Sequence, residues 1–354
     1  MSFDTVSSVE VIAPNFKRTL SGVTSTIIQL IPLQRANGLK IATLGPGLPD
    51  DLAKIRWSAL PGLWLRPRNR PFRIWHARRN TEMVAGILMH SVLRMKLKLL
   101  FTSAAQRDHR SFTKWLIRQM NAVIATSGKS GSFLKVPHTV IMHGVDTERF
   151  HPPQGDADSF AASGLPGEYL VGCSGRIRPS KGTDLFVEAM INLLPQHPEW
   201  TAVMTGRTTV ENKGFEQELR QKIARAGLED RILFLGEVPD VRIWYRRMTL
   251  YVAPSRNEGF GLTPLEAMAS QTAVVASDAG AYAEMIAPGT GTVVPAGDGN
   301  ALEAAIAPYL ADPAKCADVA TAGLVHVREN FPLEKEAGKI LEVYETMFAA
   351  GSRR

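Results

Sequence analysis

The chain has 354 residues, of which 45% are apolar, so it can bury large cores, and wholesale disorder is excluded. Its two cysteines are too few for a disulfide framework, and no apolar run is long enough for a membrane-spanning helix. Residues 1–150 contain 22 Lys+Arg and 8 Asp+Glu, whereas residues 151–354 contain 19 and 26. The basic half is therefore expected to attract an anionic partner, which by charge alone is nucleic acid, a phospholipid surface or an acidic substrate.

The first half of the chain alternates short apolar runs with helical patterns. The apolar runs predict strands at residues 9–13, 40–44, 72–75, 99–102, 122–126 and 139–142. Helical spacing occurs at 23–31, with Ser21 as a possible cap, at 81–98 and at 112–120. Asp4 and Glu10 lie where a signal peptide carries positive charge, and we therefore expect a cytoplasmic protein.

A proline- and glycine-rich stretch without periodicity, residues 150–166, predicts a linker. Beyond it, strands are predicted at 169–173, 201–205, 232–235, 250–253, 273–276 and 292–294, and closing helices run from about 301 to 348. This alternation predicts an α/β protein of two facing doubly wound domains, with ligands in the cleft at the carboxyl ends of the strands. We expect an N-terminal domain at 1–155, a C-terminal domain at 166–335 and a last helix at 336–354 that packs back on the N-terminal domain.

The stretch APSRNEGFGLTPLEAMAS is the most informative segment of the chain. A strand leads into a loop with Gly259 and Gly261, and a helix begins at Thr263, which has the spacing of a capping box with Glu266. Bare N–H groups and the helix dipole at this point form an anion cradle suited to a diphosphate. Glu258 and Glu266 are suited to sugar hydroxyls, but by spacing alone they could equally be a solvated loop residue and a helix cap.

A second strand-to-helix loop, VGCSGRIRPSKGTD, carries cations. It leaves its strand through Gly175 and holds Arg176, Arg178 and Lys181 before a helix near Thr183. Two or three fixed cations suit a pyrophosphate leaving group. A basic surface loop is the alternative, and it is disfavoured because both loops would open on the same cleft.

Together these motifs resemble the retaining glycosyltransferases of family four, which have the GT-B fold of two Rossmann-like domains. The resemblance rests on EGFGLTPLEAMAS and the preceding GRIRPSKG, on HGVDTERFHP before the linker, and on DAGAYAEMI and GTVVPAGD after the glutamates. Within the family, the HARRN and TSAAQRDHRSFTKWL stretches most resemble the mannosyltransferases that build the lipopolysaccharide core in alphaproteobacteria.

The resemblance implies a hexosyltransferase that moves mannose from a nucleotide sugar to a lipid-linked, anionic lipopolysaccharide core acceptor. GDP-mannose is the favoured donor, and a UDP-sugar is the alternative. It also implies that Arg176 and Lys181 hold the donor diphosphate, that Glu258 contacts the donor sugar and that Glu266 holds the ribose. The further donor-binding positions expected are Gly22, Gly175, Gly206, Gly259, Phe260, Gly261, Leu262 and Thr263.

The first half departs from the family pattern. Ser21-Gly22 stands where members carry Gly-Gly, and His76-Ala77-Arg78 where many carry His-x-His. A later histidine position is also lost, which leaves His109 as the catalytic candidate of this half. We expect His76, Arg78 and Arg79 to bind the anionic acceptor, although His76 and His109 could be ordinary structural histidines.

Neither a metal nor a cofactor is expected. The one Asp-x-Asp match, Asp156-Ala157-Asp158, lies in the linker, and no Cys/His cluster has zinc spacing. Arg176, Lys181 and the helix N-terminus would therefore stabilise the charge of the departing diphosphate. The family implies retention of configuration, and front-face attack is the favoured route.

Tryptophans and arginines interleave over residues 56–79, and LRMKLKLL at 93–100 alternates apolar and basic residues. This pattern suits anionic headgroups, so we expect peripheral association with the inner face of the cytoplasmic membrane and no nucleic-acid partner. The alternatives are another GT-B enzyme such as a nucleotide-sugar epimerase, a transferase for another glycan such as exopolysaccharide, and a non-catalytic nucleic-acid binder. The sequence leaves the oligomeric state open.

Overall fold

The computed structural model describes residues 5–18 and 22–352, and Ser21, the possible helix cap, lies outside these ranges. The chain divides into two compact units: Met1–His143 together with Leu333–Arg354, and Gly144–Pro332. The units therefore meet in the chain at 143/144 and 332/333, whereas the sequence predicted boundaries at 155–166 and 335.

The predicted linker is folded into the second unit. It contains two short 3-10 turns, Asp156–Asp158 and Ala161–Ser163. A 2.7 Å ion pair joins Asp158 to Arg246, and both side chains are largely buried. This contact attaches the segment to the unit that follows it, which proline and glycine content could not predict.

Within the described residues the chain forms twelve strands and twelve α-helices. The strands are β1 (Val11–Pro14), β2 (Ile41–Leu44), β3 (Arg73–Ala77), β4 (Leu97–Ser103), β5 (Ala122–Ala125), β6 (Thr139–Val140), β7 (Tyr169–Ser174), β8 (Trp200–Thr205), β9 (Ile232–Gly236), β10 (Leu250–Ala253), β11 (Ala273–Ser277) and β12 (Thr292–Val294). The helices are α1 (Gly22–Ala36), α2 (Asn80–Ile87), α3 (Ser111–Arg118), α4 (Gly128–Ser132), α5 (Thr183–Leu193), α6 (Lys213–Arg225), α7 (Val241–Arg247), α8 (Thr263–Ala269), α9 (Tyr282–Met285), α10 (Gly299–Ala311), α11 (Pro313–Asn330) and α12 (Leu333–Ser352).

The first unit is built on a six-stranded parallel sheet in the order β2-β1-β3-β4-β5-β6. Its inner strands read as nearly continuous apolar runs, which is typical of a parallel sheet covered on both faces. The last helix, α12, packs against this unit through Ile340, Tyr344 and Phe348, all of which are buried in one core with Ile27 of α1.

The helix predicted over residues 81–98 is wrong in its second half. The α-helix ends at Ile87, a π-type turn runs to Val92, and Leu97 already begins β4. Arg94 has a φ of 53°, a left-handed conformation that ends helical continuation. Leu97 and Leu99 are buried in the sheet core, so the alternation in LRMKLKLL belongs to a strand and not to a helix end.

The second unit is a parallel sheet in the order β12-β11-β10-β7-β8-β9. From β7 the chain moves outward through β8 and β9, and it then returns to the other side of β7 through β10. The strand order therefore reverses between β7 and β10, and a doubly wound sheet binds ligands beside such a reversal, at the carboxyl ends of the strands. The loops that follow β7 and β10 flank this point.

None of the helices in the described ranges has both the length and the apolar character needed to cross a membrane.

Candidate functional site

The loops after β7 and β10 are packed directly on each other. Gly182 has a φ of 69°, and a Cβ at this position would lie 1.9 Å from the carbonyl oxygen of Pro254. The N–H groups of Arg256 and Asn257 donate to the carbonyl of Ser180 at 3.0 and 3.2 Å. Only glycine permits this approach, and the two loops therefore form one fixed wall at the strand reversal.

Lys181 and Glu258 face each other across this wall and form an ion pair. The two side chains are 20% and 14% exposed, so most of the pair is removed from water. The hydroxyls of Ser255 and Tyr282 lie 3.4 and 3.5 Å from the same carboxylate oxygen, Oε1. These hydrogen bonds and the ion pair are all made by Oε1, so among the described residues Oε2 has no hydrogen-bond partner and can accept from a ligand hydroxyl.

The capping box predicted at the start of α8 is absent. The cap residue is Leu262, which makes no side-chain cap bond in the described structure, so Thr263 is already the first helical residue and Glu266 lies one position too late. The Glu266 carboxylate instead accepts a 2.9 Å hydrogen bond from the hydroxyl of Tyr245 on α7. Burial raises the pKa of Glu266 to about 6, although Tyr245 and the charges of Arg149 and Lys181 oppose this shift.

Glycines let the neighbouring backbones approach each other. Gly206, after β8, has a φ of 131°, and its Cβ would lie 2.0 Å from the carbonyl oxygen of Gly175. At Gly261, with a φ of 88°, a Cβ would lie 2.3 Å from the ring of Tyr282. These two positions therefore require glycine for close packing within the protein.

The remaining candidates of the second unit lie on the same two loops. Arg176 is exposed. Hydrogen bonds from the backbone and from Thr209 lower the pKa of Glu211, and the charge of Arg176 adds to this shift. Phe260 is buried and its carbonyl accepts from the N–H of Ala281, while Gly259 is exposed. The structure thus brings together at one sheet edge the donor-binding residues that were predicted in this unit.

His76 of the first unit does not fit its predicted role. Its side chain is fully buried, and its two ring nitrogens lie 2.6 Å from the hydroxyl of Tyr344 and 2.7 Å from that of Thr102. Burial and the charge of Arg78 lower its pKa well below the ordinary value, which makes it a neutral core histidine. Both ring nitrogens are engaged within the unit in this arrangement, which argues against acceptor binding by His76.

Arg79 is likewise engaged within the unit. Its guanidinium forms a 2.8 Å ion pair with the buried Glu82 and donates to Asn15 at 2.8 Å and to Thr24 at 3.0 Å. These bonds hold the loop after β1 to the start of α2. Because the side chain serves this internal network, the structure argues against acceptor binding by Arg79.

Arg78, His109 and Gly22 are the other three candidates of the first unit. The Arg78 side chain makes one long hydrogen bond, 3.4 Å, to the carbonyl of His76, and burial lowers its pKa. His109 is half-buried, 3.4 Å from the Ser103 hydroxyl, and burial lowers its pKa, which favours the neutral imidazole. Gly22 begins α1 with open space around its Cβ position.

The sequence interpretation missed the two tyrosines that orient the glutamates, Tyr245 and Tyr282. Both are fully buried, with the pKa raised by burial, so they act as hydrogen-bonding phenols. Tyr282 lies inside DAGAYAEMI, two residues after Gly280, and that motif is the sequence signal that could have pointed to it. In the structure this segment packs on Glu258, since a Cβ on Gly280 would lie 2.8 Å from Cβ of Glu258.

Comparison with known proteins places these features in a family. The family described as glycosyl transferases group 1 matches residues 156–324. A lipopolysaccharide core biosynthesis mannosyltransferase, LpcC, of Rhizobium leguminosarum bv. viciae is 66% identical over 343 residues, 97% of each chain. Another of that description, LpsB of Rhizobium meliloti (strain 1021), is 53% identical over 346 residues, 97% of this chain and 99% of its own.

A solved structure supports the architecture. Anabaena Alr3699/HepE in complex with UDP and glucose is 18% identical, matches 96% of this chain and 100% of its own, and has a TM-score of 0.80. At this identity the likeness concerns the fold. It confirms the predicted α/β class with two Rossmann-like units of the GT-B type.

Proposed function

The chain belongs to the group 1 glycosyltransferases, and on that premise we propose that it moves mannose from GDP-mannose to a lipid-linked acceptor of the lipopolysaccharide core. The mannosyl group and the acceptor follow the printed descriptions of the two rhizobial relatives. The observation that carries the proposal is the Lys181–Glu258 pair at the strand reversal, because it sets a cation and a sugar-hydroxyl acceptor side by side.

The pair removes the charge repulsion expected between a glutamate and a bound diphosphate. A free carboxylate beside a diphosphate would repel it, but Glu258 is neutralised by Lys181 through Oε1. Lys181 keeps two further N–H donors for phosphate oxygens, and the exposed Arg176 adds a second cation. We assign Oε2 of Glu258 to a hydroxyl of the donor sugar and the carboxylate of Glu266 to the ribose.

The proposed reaction breaks the bond between the anomeric carbon and the diphosphate oxygen, and forms a bond from that carbon to the acceptor oxygen. Arg176 and Lys181 stabilise the charge that develops on the departing diphosphate. In front-face attack a diphosphate oxygen takes the proton of the acceptor hydroxyl, and the configuration is retained. The neutral imidazole of His109 is proposed to hydrogen-bond a sugar hydroxyl, and Arg78 to bind an anionic group of the acceptor.

The proposed location is the inner face of the cytoplasmic membrane. Five exposed side chains form an apolar patch on the first unit: Trp64, Leu65, Leu88, Val92 and Leu93. The indole N–H of Trp64 donates to the carbonyl of Leu93 at 2.6 Å, which joins the two segments of the patch. Exposed cations flank it at Arg66, Arg94 and Lys96, an arrangement that suits an anionic headgroup layer.

Calorimetric titration with GDP-mannose, UDP-glucose and GDP tests the donor. We expect GDP-mannose to bind at least tenfold more tightly than UDP-glucose. Transfer of labelled mannose to a truncated lipopolysaccharide core then tests the acceptor. Binding of the UDP-sugar in preference to GDP-mannose, or hydrolysis without any transfer to the core, would contradict the proposal.

A further inference from the structure

A groove of about 920 Å³ lies in the first unit, between α12 and the amino ends of β3 to β6. Substrates of a doubly wound sheet bind at the carboxyl ends of the strands, so this groove lies at the opposite edge from the expected reaction site of the same sheet. Its volume is near the upper end of the range typical of ligand pockets. The proposed donor and acceptor contacts do not use it.

One wall of the groove is apolar. Val140 on β6 is 43% exposed, and Val343 and Met347 on α12 are half-buried. Phe72, just before β3, closes the floor. These apolar side chains face one cavity, and covering them with an alkyl chain is favourable because it removes apolar surface from water.

The rim of the groove is cationic. Arg66, Lys98 and Lys339 line it, against the single carboxylate of Glu342. In the described ranges, 5–18 and 22–352, none of these three cations forms an ion pair. Arg66 directly follows Trp64 and Leu65 in the chain, so the groove adjoins the apolar patch proposed to face the membrane.

From this arrangement we infer that the groove binds an anionic glycerophospholipid, with one acyl chain along the apolar wall and the phosphate against the cations of the rim. Free phosphate would satisfy the cations and leave the wall uncovered, whereas a zwitterionic lipid would cover the wall and forgo the net attraction. The occupant is therefore a lipid that combines both features. The inference rests on the membrane association proposed above, but not on the identity of the donor sugar or acceptor.

Calorimetry with monomeric short-chain lipids tests the groove without a membrane. We expect dihexanoyl phosphatidylglycerol, below its micellar concentration, to bind one to one. Dihexanoyl phosphatidylcholine should bind at least tenfold more weakly, and glycerol 3-phosphate should not bind. Dibutyryl phosphatidylglycerol lacks two methylenes in each chain. It should bind roughly 16-fold more weakly, because each of the two methylenes lost from the buried chain contributes roughly fourfold.

Two variants address the groove itself. Thr346→Trp places a large ring in it from an exposed position of α12 and should abolish lipid binding. Thr321→Trp on α11 is the matched control, since that exposed threonine also bonds the carbonyl four residues earlier at 2.9 Å, as Thr346 does. Arg66→Gln with Lys339→Gln should weaken binding roughly 25-fold, about fivefold for each cation. Lys213→Gln with Arg225→Gln on α6 should leave it unchanged.

Binding of phosphatidylglycerol and phosphatidylcholine with equal affinity would overturn the inference. Undiminished phosphatidylglycerol binding by Thr346→Trp would also overturn it. Titration of GDP-mannose into the same preparations separates the two proposals. Normal donor binding without lipid binding refutes only the groove, whereas lipid binding without donor binding refutes only the proposed donor.

Discussion

Replacement of Lys181 by methionine tests the centre of the proposed site. The substitution keeps most of the length of the side chain and removes its charge, which leaves the Glu258 carboxylate, 14% exposed, without its cation. The hydroxyls of Ser255 and Tyr282 make only long hydrogen bonds to it, at 3.4 and 3.5 Å, and neutral hydroxyls cannot replace the lost charge. Two separate losses are therefore expected, one in stability and one in catalysis.

The size of each loss follows from the contacts. A hydrogen bond between charged groups contributes about 1.5–3 kcal/mol, so Lys181→Met should lower the free energy of unfolding by about 2 kcal/mol. Loss of one preorganised group that stabilises developing charge costs roughly 100- to 1000-fold in rate, and kcat/KM should fall by that factor. Adding Glu258→Gln removes the buried charge, so it should restore most of the stability but none of the transfer.

Urea unfolding and initial rates of mannosyl transfer measure the two losses. Lys222→Met is the matched control, because Lys222 forms an ion pair with Glu188 on the same unit with both side chains about half exposed. The control should change the unfolding free energy by less than about 1 kcal/mol and leave kcat/KM unchanged. A Lys181→Met enzyme within threefold of the original kcat/KM would refute the assignment of this cation to the leaving group.

Three further predictions concern other parts of the site. Because burial raises the pKa of Glu266 to about 6, the folded state holds its proton more tightly than the unfolded chain. The free energy of unfolding should therefore fall by up to about 2 kcal/mol as pH rises from 4 to 7, while GDP-mannose affinity rises with the ionised form; both trends should vanish in Glu266→Gln. Gly206→Ala should lower the unfolding free energy by about 3 kcal/mol in urea, since the new Cβ meets a carbonyl at 2.0 Å; unchanged stability would refute the close approach. Arg78→Gln should raise the acceptor KM roughly tenfold and leave the GDP-mannose affinity unchanged. Arg79→Gln should chiefly lower stability, because it leaves the buried Glu82 carboxylate without its cation. An effect of Arg79→Gln on the acceptor KM alone would contradict the internal network.

The positions of the strands follow from local features of the sequence. The apolar runs 169–173 and 250–253 lie within one residue of β7 and β10, because a buried parallel strand is apolar on both faces. The helix predicted over residues 81–98 was wrong because its helical spacing is only local. This spacing continues past the point where Arg94 adopts a positive φ, and only the sheet core decides that Leu97 starts a strand.

The site shows the same limit at the level of side chains. Glycines and cations on the two loops could be identified because a close backbone approach and a phosphate each demand particular residue types. The residues that pack against buried site side chains could not be identified from the sequence, since they come from distant parts of the chain. His76 meets Tyr344 of α12, and Glu266 meets Tyr245 instead of capping its own helix.

The first unit consists of two chain segments, and the whole of the second unit is inserted between them at residues 143/144 and 332/333. The entry and exit of this insertion lie side by side, since Val145 pairs with Pro332 and its N–H donates to the carbonyl of Phe331 at 2.8 Å. A module with adjoining ends can be exchanged for another of its kind without stretching the host. The proposed donor contacts Lys181, Glu258 and Glu266 all lie within residues 144–332, so exchange of this segment is expected to change the donor preference, while α12 remains in the core of the first unit.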